Sequence, residues 1–328
     1  MALLRNSLRC MQISSVKNVG DTFGNLRLRR HIKRWVAPVL RELRQRAKKM
    51  GPQPPEPRSR FLDWNYRAEL FAFGKRLNED FQIPLLQTAL TQESYVAKEK
   101  VKQEELGVEN ADIQLKHNVE LAEHGQRLAK AYIEAFVAHS LPKMPAEGHK
   151  AVTSYLLSVD TLAHVALHLG MKELLMDADY PPSSDAMSRS LLAVIGCLQQ
   201  SSGLERAFSF VRDFICTQLN QKDLMEIWHI DKPGAVLKQI CRQRGIGDPE
   251  PRLIADCGKN TILAAYFVGL YSNKKLLGKG FGEDINTATQ LAALDALQTI
   301  FEIHENRKPF NFNIEVESKS IKLPPLSN

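Results

Sequence analysis

The sequence of 328 residues predicts two folded modules, an all-α domain followed by a small α+β domain. Between Asn65 and Gln221 apolar residues recur every three or four positions, which is typical of helices with one buried face, and no alternating strand pattern interrupts them. After Lys232-Pro233-Gly234 the pattern changes to helix, three strands and helix within about 70 residues. The predicted fold class is therefore α plus α+β.

Charge is distributed unevenly along the chain. The composition is ordinary for a globular protein, with 44% hydrophobic and 25% charged residues and a net charge of +7. Residues 1–60 contain fifteen Lys or Arg against three Asp or Glu, so the remainder carries about −5. This distribution argues against a globally basic nucleic-acid binder and indicates a basic arm with its own role. No apolar run approaches the roughly 18 residues of a transmembrane helix.

The cysteines form no recognisable disulfide or zinc pattern. They are odd in number and contain no C-x-x-C pair: Cys10, Cys197, Cys216, Cys241 and Cys257. The sequence therefore predicts buried, reduced thiols.

Residues 1–30 resemble a targeting segment. They contain no acidic residue before Asp21, and apolar residues fall near helical spacing between arginines: Leu3, Leu4, Leu8 and Met11. This composition is typical of mitochondrial import sequences, and a disordered basic tail is the alternative.

Residues 31–64 are predicted to form a basic, proline-rich arm. The basic stretch His31–Lys49 is followed by Gly51–Pro57 (GPQPPEP), which ends any helix. Binding to RNA phosphates is the functional interpretation, because each neutralised phosphate releases counterions; a merely solvated arm is the alternative. The candidate RNA contacts are Lys33, Arg34, Arg41 and Arg44.

The predicted helical domain covers residues 65–228. The polar stretch Ala97–His117 indicates a surface helix and loop, and Pro181-Pro182 precede an N-cap at Ser183 or Ser184. Two helices carry a glycine in their middle, Gly125 and Gly196, and we expect them to cross there.

The predicted α+β module covers residues 233–303, and an extended tail follows at 304–328. Its elements are a helix at Ala235–Arg244, strands at Arg252–Asp256, Ile262–Tyr271 and Lys275–Phe281, and a helix at Asn286–Phe301. Ser272-Asn273-Lys274 predicts a hairpin between the last two strands.

This α-β-β-β-α unit resembles a double-stranded-RNA-binding domain, a module that reads RNA shape across two minor grooves. Family members place a lysine pair at the start of the second helix, whereas this chain reads Ile285–Thr289 (INTAT) there, and the usual Gly-Pro-x-His loop is replaced by Gly258–Thr261 (GKNT). Four lysines are candidate substitutes, with simple solvation as the alternative: Lys259, Lys274, Lys275 and Lys279.

The helical domain resembles ribonuclease III. Three strings carry the resemblance: Leu85–Tyr95 (LLQTALTQESY, with Gln92 where His is usual), Asn118–Leu128 (NVELAEHGQRL) and Val194–Val211. Together with the second module, the resemblance covers roughly Asn65–Phe301.

Ribonuclease III enzymes hold magnesium between two helices through carboxylates. The resemblance places non-carboxylate residues at all five of those positions: Val119, Ala122, Gln126, Arg189 and Leu192. It therefore implies a helical domain without catalysis, metal or cofactor. A shifted register that uses Glu120, Glu123 or Asp185 is the alternative, although Glu120 and Glu123 should point away from the buried face.

Two further strings, Trp64–Leu77 and Glu305–Phe312, are similar to ribonuclease-III-related proteins of the mitochondrial large ribosomal subunit. The resemblance implies a structural constituent in the mitochondrial matrix that binds large-subunit rRNA and neighbouring ribosomal proteins. The alternatives are a mitochondrial endoribonuclease acting on double-stranded RNA and an RNA-binding adaptor that acts off the ribosome.

Overall fold

The computed structural model describes residues 38–51, 56–106, 115–258, 261–303, 310 and 312. The predicted targeting segment and most of the tail lie outside them, as do four residues singled out above: Cys10, Lys33, Arg34 and Lys259. The chain forms two compact units, one ending at Glu56 and one beginning at Pro57, and each is described by itself.

In the part of the first unit that the structure describes, Pro38–Met50 form a helix, α1, whose side chains are all exposed. Basic residues dominate its polar surface: Arg41, Arg44, Arg46, Lys48 and Lys49. Val39, Leu40 and Leu43 are also exposed, so α1 is a basic amphipathic helix.

The second unit begins with the predicted helical domain. Its helices are α2 (Tyr66–Leu77), α3 (Ile83–Ala89), α4 (Glu93–Glu105), α5 (Val119–Ser140), α6 (Ala146–Leu156), α7 (Val159–His168), α8 (Ser184–Ser202), α9 (Leu204–Phe210) and α10 (Leu224–Ile227). Between α9 and α10 the chain continues through a π-helical and a 3₁₀ turn. Ser183 is the N-cap of α8, because its Oγ accepts a hydrogen bond from the amide of Ala186 at 3.1 Å.

Helix α8 is the centre of this domain. Every residue from Ser190 to Leu198 is buried, so the helix is surrounded by its neighbours rather than packed on one side. Its main partner is α5, and α3, α7 and α9 also contact it.

The second module confirms the predicted α+β class. Its elements are α11 (Pro233–Gln243), β1 (Glu250–Cys257), β2 (Ala265–Ser272), β3 (Lys275–Gly282) and α12 (Ile285–Phe301). The strands form an antiparallel sheet in the order β1-β2-β3, and α12 packs against β2, β3 and α11.

The predicted start of the second strand was wrong. Strand β2 begins at Ala265, and Ile262 and Leu263 lie in the preceding turn. Gly258 has a φ of +64° and Thr261 donates to its carbonyl oxygen from both the amide, at 3.0 Å, and Oγ1, at 2.6 Å. These local bonds close a turn where the apolar sequence suggested a strand.

Helix α12 lies unusually close to β3. A Cβ atom on Gly280 would stand 2.3 Å from the carbonyl oxygen of Ala288, and one on Gly278 would stand 2.5 Å from that of Ala292. The helix can therefore approach the strand this closely only because its facing residues are alanines and those of the strand are glycines.

The two modules of the second unit share one continuous hydrophobic core. The ring of Trp228, which follows α10, packs on Phe301 of α12 with 5.7 Å between centroids. Lys143 pairs with Glu302 across the same junction. From the tail, Phe312 stacks on Phe136 of α5 with centroids 5.9 Å apart.

None of the helices in the described residues combines the length and apolar character that a bilayer crossing requires.

Candidate functional site at the crossing of α5 and α8

Helices α5 and α8 cross at two glycines, as predicted. A Cβ atom on Gly125 would lie 1.9 Å from the carbonyl oxygen of Leu192, and one on Gly196 would lie 2.4 Å from that of Leu121. Neither distance is compatible with a side chain, because real Cβ atoms do not approach oxygen so closely. The two backbones are therefore in direct contact.

The five positions implied by the resemblance lie on these two helices. Ala122 and Leu192 are buried apolar residues, and Val119 is half-buried in the first turn of α5. Gln126 and Arg189 are exposed. A hard cation such as Mg²⁺ prefers oxygen ligands in octahedral geometry, whereas these positions supply methyl groups, one neutral amide and one positive charge.

The carboxylates nearest in sequence do not face the crossing. Glu120 and Glu123 are exposed, on the opposite side of α5 from the buried Leu121 and Gly125, and Asp185 is exposed in the first turn of α8. Over the part of the chain that the structure describes, no three residues among His, Cys, Asp and Glu come together as a metal site.

His124 links the two helices instead. It is half-buried, and its Nε2 lies 3.2 Å from Oε1 of Gln199 on α8. This contact joins α5 to α8, and His124 lies at the boundary between these two helices.

A buried polar cluster lies beside the crossing. The Nε2 atom of Gln92 donates to Oγ of Ser190 at 2.7 Å and to the carbonyl oxygen of Ala186 at 2.9 Å. The Nδ2 atom of Asn118 donates to the carbonyl oxygen of Ala89 at 3.2 Å and to the same Ser190 Oγ at 3.3 Å. All three side chains are buried, so these bonds hold α3, the start of α4 and the start of α5 against α8.

Sequence reasoning identified Gln92 and Asn118 only as matches to family strings and did not identify Ser190. The hydroxyl of Ser190 is the hub of the cluster, and nothing local in the sequence marks it. One acceptor is left over, because Oδ1 of Asn118 has no hydrogen-bond partner among the described residues.

The buried thiols are poor nucleophiles near neutral pH. Burial raises the pKa of Cys197 to about 11 and that of Cys216 to about 12, so both remain protonated near neutral pH. Cys241 is buried as well, as predicted, but Cys257 is exposed at the end of β1. The prediction for Cys257 was wrong because β1 is an edge strand with all of its residues exposed.

Three of the candidate RNA-binding lysines lie in the described part of the second module. Lys274 and Lys275 lie at the hairpin between β2 and β3, where Asn273 and Lys274 both have positive φ. Lys279 lies within β3. The start of α12 is at the opposite end of the strands from the hairpin.

Comparison with known proteins gives a consistent result for both modules. Residues 65–198 match the family described as "Large ribosomal subunit protein mL44, endonuclease domain", and residues 228–325 match the "MRPL44 dsRNA-binding domain". The large ribosomal subunit protein mL44 of Caenorhabditis elegans is 30% identical over 84% of this chain and 70% of its own length.

Two other relatives match over shorter stretches. The mL44 protein of Neurospora crassa is 26% identical over 36% of this chain and 26% of its own length. Ribonuclease 3 of Symbiobacterium thermophilum is 33% identical over 34% of this chain and 46% of its own length.

Among solved structures, the nuclease domain of ribonuclease III from Campylobacter jejuni matches in two determinations. One has a TM-score of 0.38 at 18% identity and covers 46% of this chain and 96% of the other. The second has a TM-score of 0.35 at 17% identity and covers 48% and 97%.

Proposed function

The chain belongs to the family of large ribosomal subunit protein mL44, and from this premise we propose that it is a non-catalytic structural constituent of the mitochondrial large ribosomal subunit. In this role it binds large-subunit rRNA and neighbouring ribosomal proteins in the mitochondrial matrix and supports mitochondrial translation. The ribonuclease-III-like domain serves as a packing scaffold.

The main observation against catalysis is the set of side chains at the α5–α8 crossing. Ala122 and Leu192 are buried and apolar, and Arg189 adds a cation where a magnesium enzyme needs carboxylates. Without carboxylate ligands the crossing lacks the means to hold the metal ion that generates the attacking hydroxide in such enzymes. The buried thiols supply no nucleophile either, because burial raises the pKa of Cys197 and Cys216 well above neutrality.

The shared core of the two modules supports a structural role. Trp228, Phe301 and Phe312 hold the RNA-binding-like module against the helical domain. A constituent of a large assembly presents its surfaces in a fixed arrangement, and a continuous core provides this.

Contacts with rRNA are assigned to the basic arm and the hairpin lysines. Arg41 and Arg44 are exposed on α1, and Lys274, Lys275 and Lys279 are exposed in the second unit. Exposed cations suit phosphate contacts, which position a protein without reading sequence.

Sedimentation of a mitochondrial lysate tests the structural role. We expect the chain to migrate with the large subunit through moderate salt washes. A chain that stays at the top of the gradient would instead support the adaptor off the ribosome.

A cleavage assay tests the absence of catalysis. Purified chain incubated with duplex RNA and Mg²⁺ should leave the RNA intact. Specific cutting that is lost in Glu120→Gln or Glu123→Gln would establish the endoribonuclease alternative.

A further inference from the structure

Helix α7 carries two histidines whose rings contact each other. His164 and His168 are four residues apart, which places both side chains on one face of the helix. Their Nε2 atoms lie 3.0 Å apart, and the rings meet edge to face with 4.3 Å between centroids. Both residues are exposed, so packing in the core does not account for the arrangement.

The distance between the two Nε2 atoms suits a shared metal ion. Imidazole nitrogen binds zinc at about 2.0–2.1 Å, so two nitrogens on neighbouring positions of one such ion stand about 3 Å apart. In the free chain this distance is a hydrogen bond, in which the Nε2–H of one ring donates to Nε2 of the other. If that proton moves through solvent to Nδ1 of its own ring, both Nε2 atoms become ligands, and the neutral pair releases no proton.

The helix holds the two ligands together before an ion arrives. Two histidines at this spacing on one helix face are the arrangement by which metalloproteases of the H-E-x-x-H type bind zinc. The second nitrogen then binds at a high effective concentration, because the helix has already fixed its position.

The protein supplies two ligands at this place. The nearby carbonyl oxygen of Leu169 already accepts a hydrogen bond from the guanidinium of Arg76, at 3.0 Å. Among the residues that the structure describes, no third His, Cys, Asp or Glu joins the pair. Water molecules would therefore complete the coordination of an ion.

We propose that His164 and His168 bind one divalent transition metal ion, of the class of Zn²⁺, Ni²⁺ and Cu²⁺, through their Nε2 atoms. Imidazole nitrogen suits these ions, whereas Mg²⁺ prefers oxygen ligands. The site therefore differs in metal class from the one that ribonuclease III enzymes build between their helices. It does not depend on the proposed function, because it uses only the two side chains of α7.

Titration of the full chain with Ni²⁺ tests the proposal. The chain is purified without a histidine tag and freed of metal with a chelator, and binding is followed by calorimetry. The tightest site should take one Ni²⁺ per chain. His164→Ala and His168→Ala should each weaken it at least about tenfold, because each removes one of the two linked ligands.

His229→Ala is the matched control. His229 is also exposed but has no histidine four residues away in the sequence, so this variant should bind Ni²⁺ as the natural chain does. No saturable binding, a loss in only one of the two α7 variants, or an equal loss in His229→Ala overturns the proposal.

Nuclear magnetic resonance of chain labelled with ¹⁵N-histidine separates a metal site from a hydrogen-bonded pair. Added Zn²⁺ should shift the Nε2 signals of His164 and His168 and leave both Nδ1 atoms protonated. Shifts confined to other histidines contradict the proposal. The unfolding midpoints of the two alanine variants without metal should equal that of the natural chain, because both positions are exposed.

Discussion

Gly125 lies so close to Leu192 that the α-hydrogen of the glycine faces the carbonyl oxygen of the leucine, where a Cβ atom would stand 1.9 Å away. Gly125→Ala should therefore force α5 and α8 apart and lower the free energy of unfolding by about 3 kcal/mol. Urea unfolding of purified chain measures this change.

Gly234→Ala in α11 is the matched control. The atoms nearest to the added methyl group would be at the end of the Gln290 side chain, 3.3 Å or more away. Because alanine favours helix by about 1 kcal/mol, this variant should be close to neutral. Equal losses in the two variants would show that backbone contact at the crossing is not the cause.

The second prediction concerns Mg²⁺. The unfolding midpoint of the natural chain should not respond to millimolar Mg²⁺. A variant with Asp or Glu at all five positions should be less stable without metal and regain stability with it, because a ligand that binds only the folded state stabilises that state. The substituted positions are Val119, Ala122, Gln126, Arg189 and Leu192. A rise in the midpoint of the natural chain would contradict the proposed loss of the metal site.

The third prediction concerns the buried polar cluster. Gln92→Leu should cost about 2 kcal/mol, because it removes the buried hydrogen bonds to Oγ of Ser190 and to the carbonyl oxygen of Ala186. A double-mutant cycle with Ser190→Ala should give a coupling energy above about 0.5 kcal/mol, since the two side chains are hydrogen-bonded directly. Additive losses would show that the cluster does not act as a unit.

The fourth prediction concerns the junction of the modules. Phe312→Ala should lower the free energy of unfolding by about 2 kcal/mol, since it removes the ring that stacks on Phe136. Phe61→Ala, at an exposed position, is the control and should change little. Calorimetry of the natural chain should show Pro57 onward unfolding in one transition; two separate transitions would contradict a shared core.

The fifth prediction concerns pH. Burial raises the pKa of Cys197 to about 11 and of Cys216 to about 12, from 9.0. As pH rises above 9 the unfolded chain loses these protons first, so stability should be complete below pH 9 and fall between pH 9 and 11. Urea unfolding across this range measures the fall, and Cys197→Ala with Cys216→Ala should make it shallower. An equal slope in the variant would exclude these thiols as the cause.

Local sequence patterns predicted the elements well. Helical periodicity located the helices, and the cap expected at Ser183 or Ser184 located the start of α8. The hairpin expected at Ser272-Asn273-Lys274 is present, although Ser272 pairs with Lys275 and only Asn273 and Lys274 form the turn. The crossing followed from Gly125 and Gly196, because a glycine inside an amphipathic helix is costly unless it permits a close approach.

Features that depend on distant pairs were not predictable. Ser190 lies 98 residues from Gln92 and 72 from Asn118, so only the folded chain shows that they share hydrogen bonds. The turn at Ile262 was missed because its apolar side chains read as a strand, whereas the bonds of Thr261 to Gly258 close the backbone first.

The core that Trp228, Phe301 and Phe312 help to form has a consequence for binding strength. When two weakly binding modules are joined by a flexible linker, ordering the linker costs entropy and lowers the overall affinity. The second module then binds with a strength that depends on the effective concentration set by the linker. In the structural role proposed above, a first contact made by one module would already set the position of a contact made by the other. On that proposal, a substitution that loosens the junction should weaken attachment to the large subunit, although it lies inside the shared core and not on a surface.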